Sequence, residues 1–360
     1  MNGPEDAAAP LPPRNNPALV GHQAAERALL ESLRGGRLAH AWLISGPEGI
    51  GKATLAYRFA RFVLAGGGNG AAGDSLYLAP DHPVFRRVAA GGHSDLITAE
   101  RTVNEDTGKL RGEIVVPDIR AVVRFFKLTA GEGGWRVAVI DGADTMNPNA
   151  ANALLKVLEE PPANSLLLLV AHNPGRLLPT IRSRCRKLAL KPLAEEQVTA
   201  LLAGYLPELP SADAAALAHL ADGSPGRALA LAAEGGLELY RDMNDILVTL
   251  PELDVQALHA FGTRFGRAGA EQAFHTAGDL IRWWLARTIV VAAGGLDSGT
   301  RLAAGEAALI DRLARAAGLD RWLEVWEKIN RLLGRTETAS LDRKQVVLNV
   351  FLAIEGAVRR

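Results

Sequence analysis

The sequence predicts an α/β domain, a parallel sheet flanked by helices, followed by a small helical lid domain and an all-α C-terminal domain. Three observations predict it. Between Pro17 and Leu190, short apolar runs alternate with amphipathic stretches, the pattern of parallel strands joined by helical crossovers. The first of these runs feeds a glycine-rich turn, Gly46-Pro47-Glu48-Gly49-Ile50-Gly51-Lys52, which opens a helical stretch. From Glu195 onward the chain is rich in alanine and leucine with no convincing strand.

At 360 residues the chain exceeds the roughly 250 to 300 that one core supports. Residues 1–16 mix Glu5 and Asp6 with alanine and proline and lack a basic start and an apolar run, so they read as a disordered leader. Residues 17–190 form the α/β domain. Lys191-Pro192 ends that pattern, and residues 191–240 form a small helical bundle and residues 241–360 a separate helical block, which the resemblance stated below implies to be a lid and an oligomerisation (collar) domain.

Within the α/β domain the expected strands are Ala41 to Ser45, Leu96 to Ala99, Val137 to Asp141, Leu166 to Ala171 and Lys187 to Leu190. After the glycine turn, Leu55, Phe59, Phe62 and Val63 make one apolar stripe, with Arg58 and Arg61 pointing elsewhere. Gly66 to Gly92 is rich in glycine and alanine and reads as a long surface loop. In the C-terminal part, Ile281, Trp284, Leu285 and Ile289 form one helical stripe. Trp322, Val325, Trp326, Ile329, Leu332 and Leu333 form another. Aromatics at that spacing read as packing, in a bundle core or against a partner in a ring.

Composition removes several function classes. The 40 Lys+Arg balance 40 Asp+Glu, so no whole-molecule basic field drives nonspecific nucleic-acid binding. A single cysteine, Cys185, excludes an intrachain disulfide framework and a cysteine-rich zinc module. No apolar stretch approaches 18 residues, so no membrane span and a cytoplasmic setting are expected. No cluster of carboxylates suits two-metal nucleotidyl transfer.

The glycine turn carries the chemistry. Gly46, Gly49 and Gly51 supply a backbone cradle at a helix N-terminus, where N–H groups and the helix dipole favour an anion, and Lys52 adds a full charge. The hydroxyl that would hold Mg²⁺ is missing: Ala53 follows Lys52, and Thr54 comes one place late. Val137 to Asp141 has the form of a Walker B strand whose Asp141 steadies Mg²⁺. The following position, where a hydrolytic enzyme places a water-polarising Glu, is Gly142, and Asp144 lies two residues further on. The loop is suited to holding phosphate more than to cleaving it.

Five ordered motifs then resemble the clamp-loader branch of the AAA+ proteins. They are Val20-Gly21-His22, the glycine turn, Asn152-Ala153-Leu154-Leu155-Lys156-Val157-Leu158-Glu159-Glu160-Pro161-Pro162, Ile181-Arg182-Ser183-Arg184-Cys185 and Gly223-Ser224-Pro225-Gly226-Arg227. Leu341-Asp342-Arg343-Lys344-Gln345 extends the likeness toward the C-terminus. The resemblance implies an AAA+ P-loop domain with lid and collar, in a subunit of a ring that loads a sliding clamp onto primed DNA. It implies nucleotide contacts at Val20, Gly21, Gly46, Gly49, Gly51, Lys52, Thr54, Asp141 and Arg227, the last as sensor 2. At sensor 1 the slot is His172 or Asn173. ATP or ADP is the implied cofactor class, held weakly. The zinc-bound cysteine cluster found in many members is missing from this sequence, and no metal ligand is assigned.

Arg184 stands out by the same resemblance as an arginine finger acting in trans on the ATP site of an adjacent motor subunit. A planar guanidinium spreads charge over a γ-phosphate in a way lysine does not imitate, and such fingers raise hydrolysis by about 10³ to 10⁵. The leading expectation is a stator with a degraded ATPase site and little activity of its own. The competing expectation is an autonomous ATPase that recruits Thr54 or water for Mg²⁺ and Asp144 for the nucleophile. A small-molecule kinase leaves the Ser183-Arg184-Cys185 element and the helical second half without a role.

Overall fold

A computed structural model describes residues 11–36, 38–67, 75–104, 108, 110–132, 134–295, 304–339 and 341–359. The chain divides into two compact units, Met1–Glu208 with Asp222–Arg227, and Leu209–Ala221 with Ala228–Arg360. The expected boundaries at 190 and 240 do not coincide with this division. Residues 191–208 stay with the α/β unit, where Leu193 N–H donates to Gly223 O at 2.9 Å.

In the first unit the order is α1 (Gln23–Arg34), β1 (Ala41–Ser45), α2 (Lys52–Leu64), α3 (Pro83–Ala89), β2 (Leu96–Ala99), α4 (Val116–Phe126), β3 (Arg136–Asp141), α5 (Pro148–Glu159), β4 (Ser165–Ala171), α6 (Pro179–Arg184), β5 (Arg186–Ala189) and α7 (Glu195–Tyr205). The strands form one five-stranded sheet in the order β2-β3-β4-β1-β5. Every pair is parallel. β4 lies at the centre and all seven of its residues are buried, which is why Ser165-Leu-Leu-Leu-Leu-Val-Ala171 reads as an unbroken apolar run rather than an alternation.

Side chains alternate across the sheet and so divide the core in two. Ile44, Val137, Val139, Leu166, Leu168 and Val170 pack with Leu29 of α1 and with Leu55 and Phe59 of α2. Leu43, Ala138, Ile140, Leu167 and Leu169 pack with Ile119 of α4, Leu154 and Leu158 of α5, and Ile181 of α6. β1 and β2 coincide with the expected strands. β3, β4 and β5 each begin one residue earlier, and Leu190 N–H still extends the ladder to Ser45 O at 2.8 Å.

Two expectations are overturned in part. The surface loop expected over Gly66 to Gly92 contains α3, started by Pro83 and capped by His82 Nδ1, which accepts from Val84 N at 3.2 Å. Val84, Phe85 and Val88 are buried; residues 68–74 lie outside the described residues. Of the leader expected over 1–16, residues 1–10 lie outside the described residues, but 11–16 are bound to the domain. Arg61 donates to Arg14 O at 2.7 Å and Asn16 O at 2.8 Å, while Arg14 pairs with Glu100 at 3.1 Å. Accordingly Arg58 and Arg61 do not point to solvent. Arg58 donates to Glu26 at 2.7 Å, and Arg61 lies 4.4 Å from the Phe85 ring centre, where burial lowers its pKa to about 10. The arginines lie on the face of α2 away from the sheet and are covered by the N-terminal strap and α3, which sequence periodicity does not register.

The second unit contains α8 (Ser211–Leu220), most of α9 (Pro225–Ala233), α10 (Gly236–Val248), α11 (Val255–Thr263), α12 (Glu271–Ala292), α13 (Ala304–Ala316), α14 (Leu319–Ala339) and α15 (Arg343–Val358). Trp284 of α12 and Trp322 of α14 are fully buried against one another, edge to face at 6.2 Å. Trp284, Trp322 and the buried members of these stripes, Ile281, Leu285, Val325, Ile329 and Leu333, therefore supply the unit's own core. A buried polar cluster lies beside them: Tyr240 OH donates to Glu306, and His219 Nε2 is 3.3 Å from the other Glu306 oxygen. Among the described residues no helix is long and apolar enough to cross a membrane.

Candidate functional site

The glycine turn joins β1 to α2, beside the C-terminal ends of the parallel strands. Gly46, Gly49 and Gly51 all have positive φ, at 146°, 74° and 102°. Gly51 is the N-cap of α2 and Lys52 its first residue, so the first N–H groups of the helix open into the turn. A Cβ on Gly46 would lie 2.6 Å from Leu190 O, which explains glycine there without any ligand.

Residues 222–227 close over this turn. Gly226 N–H donates to Gly49 O at 3.0 Å, and the Ser224 hydroxyl donates to Glu48 O at 2.8 Å. The backbones approach so closely that a Cβ on Gly226 would sit 2.8 Å from Gly49 Cα. On another side, His22 Nε2 lies 2.7 Å from Ile50 O; a carbonyl only accepts, so this nitrogen carries the proton. His22 itself has φ 61°, next to Gly21, whose positive φ of 70° brings it against Leu193. Val20 is more than a third exposed and makes no hydrogen bond to the turn.

Lys52 is only 3% exposed and donates to Pro47 O inside its own loop. Burial lowers its pKa, while Glu48, Asp141 and Asp144 pull the other way. Asp141, at the end of β3, has its pKa raised by burial and next by Glu100; His172, Lys52 and the Gly142 N–H oppose that rise. Lys52 and Asp141 therefore sit in one electrostatic neighbourhood. Ala53 offers no hydroxyl, and half-buried Thr54 follows it in the first turn of α2. The donor set suits a phosphate at the head of α2. It lacks the hydroxyl that Mg²⁺ needs.

Asp144 is 7% exposed and accepts the His172 N–H at 3.1 Å and the Asn173 N–H at 2.8 Å. Both oxygens of the carboxylate thus secure the chain leaving β4. Asn173 Oδ1 accepts from Gly175 N at 3.1 Å, whereas His172 is the one of the two that acts electrostatically on Asp141. The Arg227 guanidinium lies 3.9 Å from Asp222, and its backbone N–H donates to Ser224 Oγ at 3.2 Å. What touches the turn is the backbone of this motif, with the guanidinium turned to Asp222.

Arg184 ends α6. Its neighbours Ile181 and Cys185 are buried in the core shared with α5, and burial pushes the Cys185 thiol up to about 12. The guanidinium remains 36% exposed; one nitrogen donates to Thr180 O at 3.0 Å and another lies 2.8 Å from Glu159 of α5. Sequence reasoning missed three participants: the His22 link, the Asp144 clasp and the Glu159 partner. All three lie in or beside the quoted motifs, but side-chain pairing over distances of 25 to 29 residues leaves no periodic trace. Among the described residues no group of three or more His, Cys, Asp or Glu forms a metal site.

Residues 21–194 match the family described as DNA polymerase III, delta subunit. A DNA polymerase III subunit delta' of Pseudomonas aeruginosa is 39% identical over 58% of this chain and 61% of that protein. A DNA polymerase III subunit tau/gamma of Haemophilus influenzae is 34% identical over 61% of this chain and 30% of that protein. The chain thus spans about three fifths of the first relative and under a third of the second. Among solved structures, a DNA polymerase III gamma-subunit-related protein of Thermotoga maritima is 18% identical with a TM-score of 0.37, over 92% of this chain and 100% of that one.

Proposed function

We propose, from the premise that residues 21–194 belong to the delta-prime type of DNA polymerase III clamp-loader subunit, that this chain is a stator. It hydrolyses little or no ATP itself and donates Arg184 in trans to the ATP site of a neighbouring motor subunit. The observation that carries the reading is the engagement of Asp144. Gly142 holds the place of a water-polarising Glu, and the nearest further carboxylate has both oxygens committed to His172 N–H and Asn173 N–H. A buried carboxylate with both oxygens already accepting backbone N–H bonds is poorly placed to take a proton from water, because those acceptor sites are committed. This counts against the autonomous ATPase.

In this reading the turn from Gly46 to Lys52 holds ATP or ADP weakly, with the first N–H groups of α2 and Lys52 toward the phosphates and Arg227 as sensor 2. Lys52, which donates to Pro47 O in this structure, would hold a phosphate by giving up that carbonyl. The homologous partners are subunits of the tau/gamma and delta types; sliding clamp and primed DNA are reached through the complex, in the cytoplasm. Residues 241–360 serve as the collar. Arg184 supplies charge where it develops on a neighbour's γ-phosphate, and its platform of Ile181 and Cys185 keeps it at a fixed height above the α5–α6 surface.

The test is ATP turnover in two settings. The isolated chain should turn over ATP at background, and Lys52→Ala should change nothing. In a complex reconstituted with tau/gamma- and delta-type subunits, Arg184→Ala should lower DNA-stimulated turnover by about tenfold or more, and Arg184→Lys should not restore it. Vigorous turnover by the lone chain that is lost in Lys52→Ala overturns the stator. Wild-type turnover by the Arg184→Ala complex overturns the finger.

A further inference from the structure

We infer that Glu159 is the positioning residue of the trans-acting arginine: its carboxylate holds the Arg184 guanidinium aimed across the α5–α6 surface until phosphate from a neighbouring nucleotide replaces it. This rests on the assignment of Arg184 given above.

The guanidinium is steadied from two sides, by Thr180 O at 3.0 Å from within α6 and by Glu159 at 2.8 Å from α5. The supports beneath the pair are rigid. Leu158, immediately before Glu159, is 2% exposed, Ile181 is fully buried, and both belong to one core with Cys185. Backbone drift therefore does not loosen the pair, and its geometry depends on the two side chains alone. Both remain reachable, at 36% and 50% exposed, as a group that must later meet another molecule requires.

The location of the carboxylate also points to a task beyond helix stability. Glu159 is the last residue of α5, where the partial negative end of the helix disfavours an anion. The Arg184 cation offsets that repulsion. A free arginine side chain has many rotamers to lose, and ordering it before docking removes part of that loss from the later step. An exposed pair of this kind is a weak interaction. That is enough to bias the rotamer, and small enough for a multiply charged phosphate in a closed interface to displace.

The test uses the reconstituted complex with MgATP, reading kcat and KM separately. Glu159→Gln should lower kcat by about 2- to 5-fold with KM and the melting temperature of the chain unchanged. Glu159→Asp should recover part of the rate, and Glu160→Gln, at the neighbouring exposed carboxylate, should match wild type. Combined with Arg184→Ala, Glu159→Gln should add no further loss. An unchanged or raised kcat in Glu159→Gln, alongside an impaired Arg184→Ala, overturns the positioning role and leaves the finger standing, and so does a loss that adds to that of Arg184→Ala. A wild-type rate in Arg184→Ala removes both.

Discussion

The Asn173 backbone N–H donates to Asp144 Oδ2 at 2.8 Å, and the adjacent His172 N–H donates to Oδ1 at 3.1 Å. A carboxylate that stands near the end of β3 thus ties down the chain leaving β4, across the centre of the sheet. Its chemistry is that of a clasp.

Replacing the clasp tests this directly. Asp144→Asn retains a single acceptor oxygen and turns an NH₂ group toward a backbone donor, so one N–H loses its partner. The expected loss is about 1 to 3 kcal/mol, read as a lower urea midpoint at unchanged m-value. A stability equal to wild type would show that the carboxylate is not holding the β4 exit.

Asp141 gives a pH signature. Burial raises its folded-state pKa above 3.8, so between 3.8 and that raised value the folded chain binds more protons than the unfolded one. The stability linked to this group is therefore full below 3.8 and is lost as pH rises through the folded pKa, leaving a buried charge at neutrality. Lys52 opposes the shift less than burial drives it. Asp141→Asn, which keeps an acceptor for the Gly142 N–H, should raise the melting temperature at pH 7, with the difference closing toward pH 4. A lower melting temperature at pH 7 would mean that the pairing with Lys52 outweighs desolvation.

Gly49 and Gly36 separate close approach from backbone conformation. Both have positive φ, 74° and 65°, but a Cβ on Gly49 would collide with Ser224 Oγ and sit 3.0 Å from Arg227 N, whereas nothing lies within 4 Å of one on Gly36. Each alanine substitution carries the left-handed cost of about 1 to 2 kcal/mol. Gly49→Ala should lose about 1 to 3 kcal/mol more through overpacking. Equal losses in chemical denaturation would mean that the 222–227 segment yields easily from the turn.

The three inner strands β1, β3 and β4 were legible because they are buried on both faces and appear as runs of apolar residues, whereas the edge strands β2 and β5 are half-buried or exposed; two of the five strands coincide with the expected limits. The glycine turn and Asp141 were legible because their chemistry demands fixed types at fixed spacings. That Arg58 and Arg61 are covered was not legible because helical periodicity records only the face toward the sheet, and the residues that accept from them, Arg14, Asn16 and Pro17, come from 41 to 47 positions away. The tryptophan stripes show the reverse ambiguity. Periodicity marks Trp284 and Trp322 as buried, but only their mutual packing shows that the cover is the unit itself.

Cys185 is the one cysteine of the chain, buried in the core beside α5 and α6 with its thiol held far from the reactive thiolate form at neutral pH. The molecule therefore arrives with a silent background for thiol chemistry. A cysteine introduced on an exposed turn would accept a fluorophore or spin probe alone, without first removing the native residue, and distances from the α5–α6 surface to any docked neighbour could be followed on otherwise native protein.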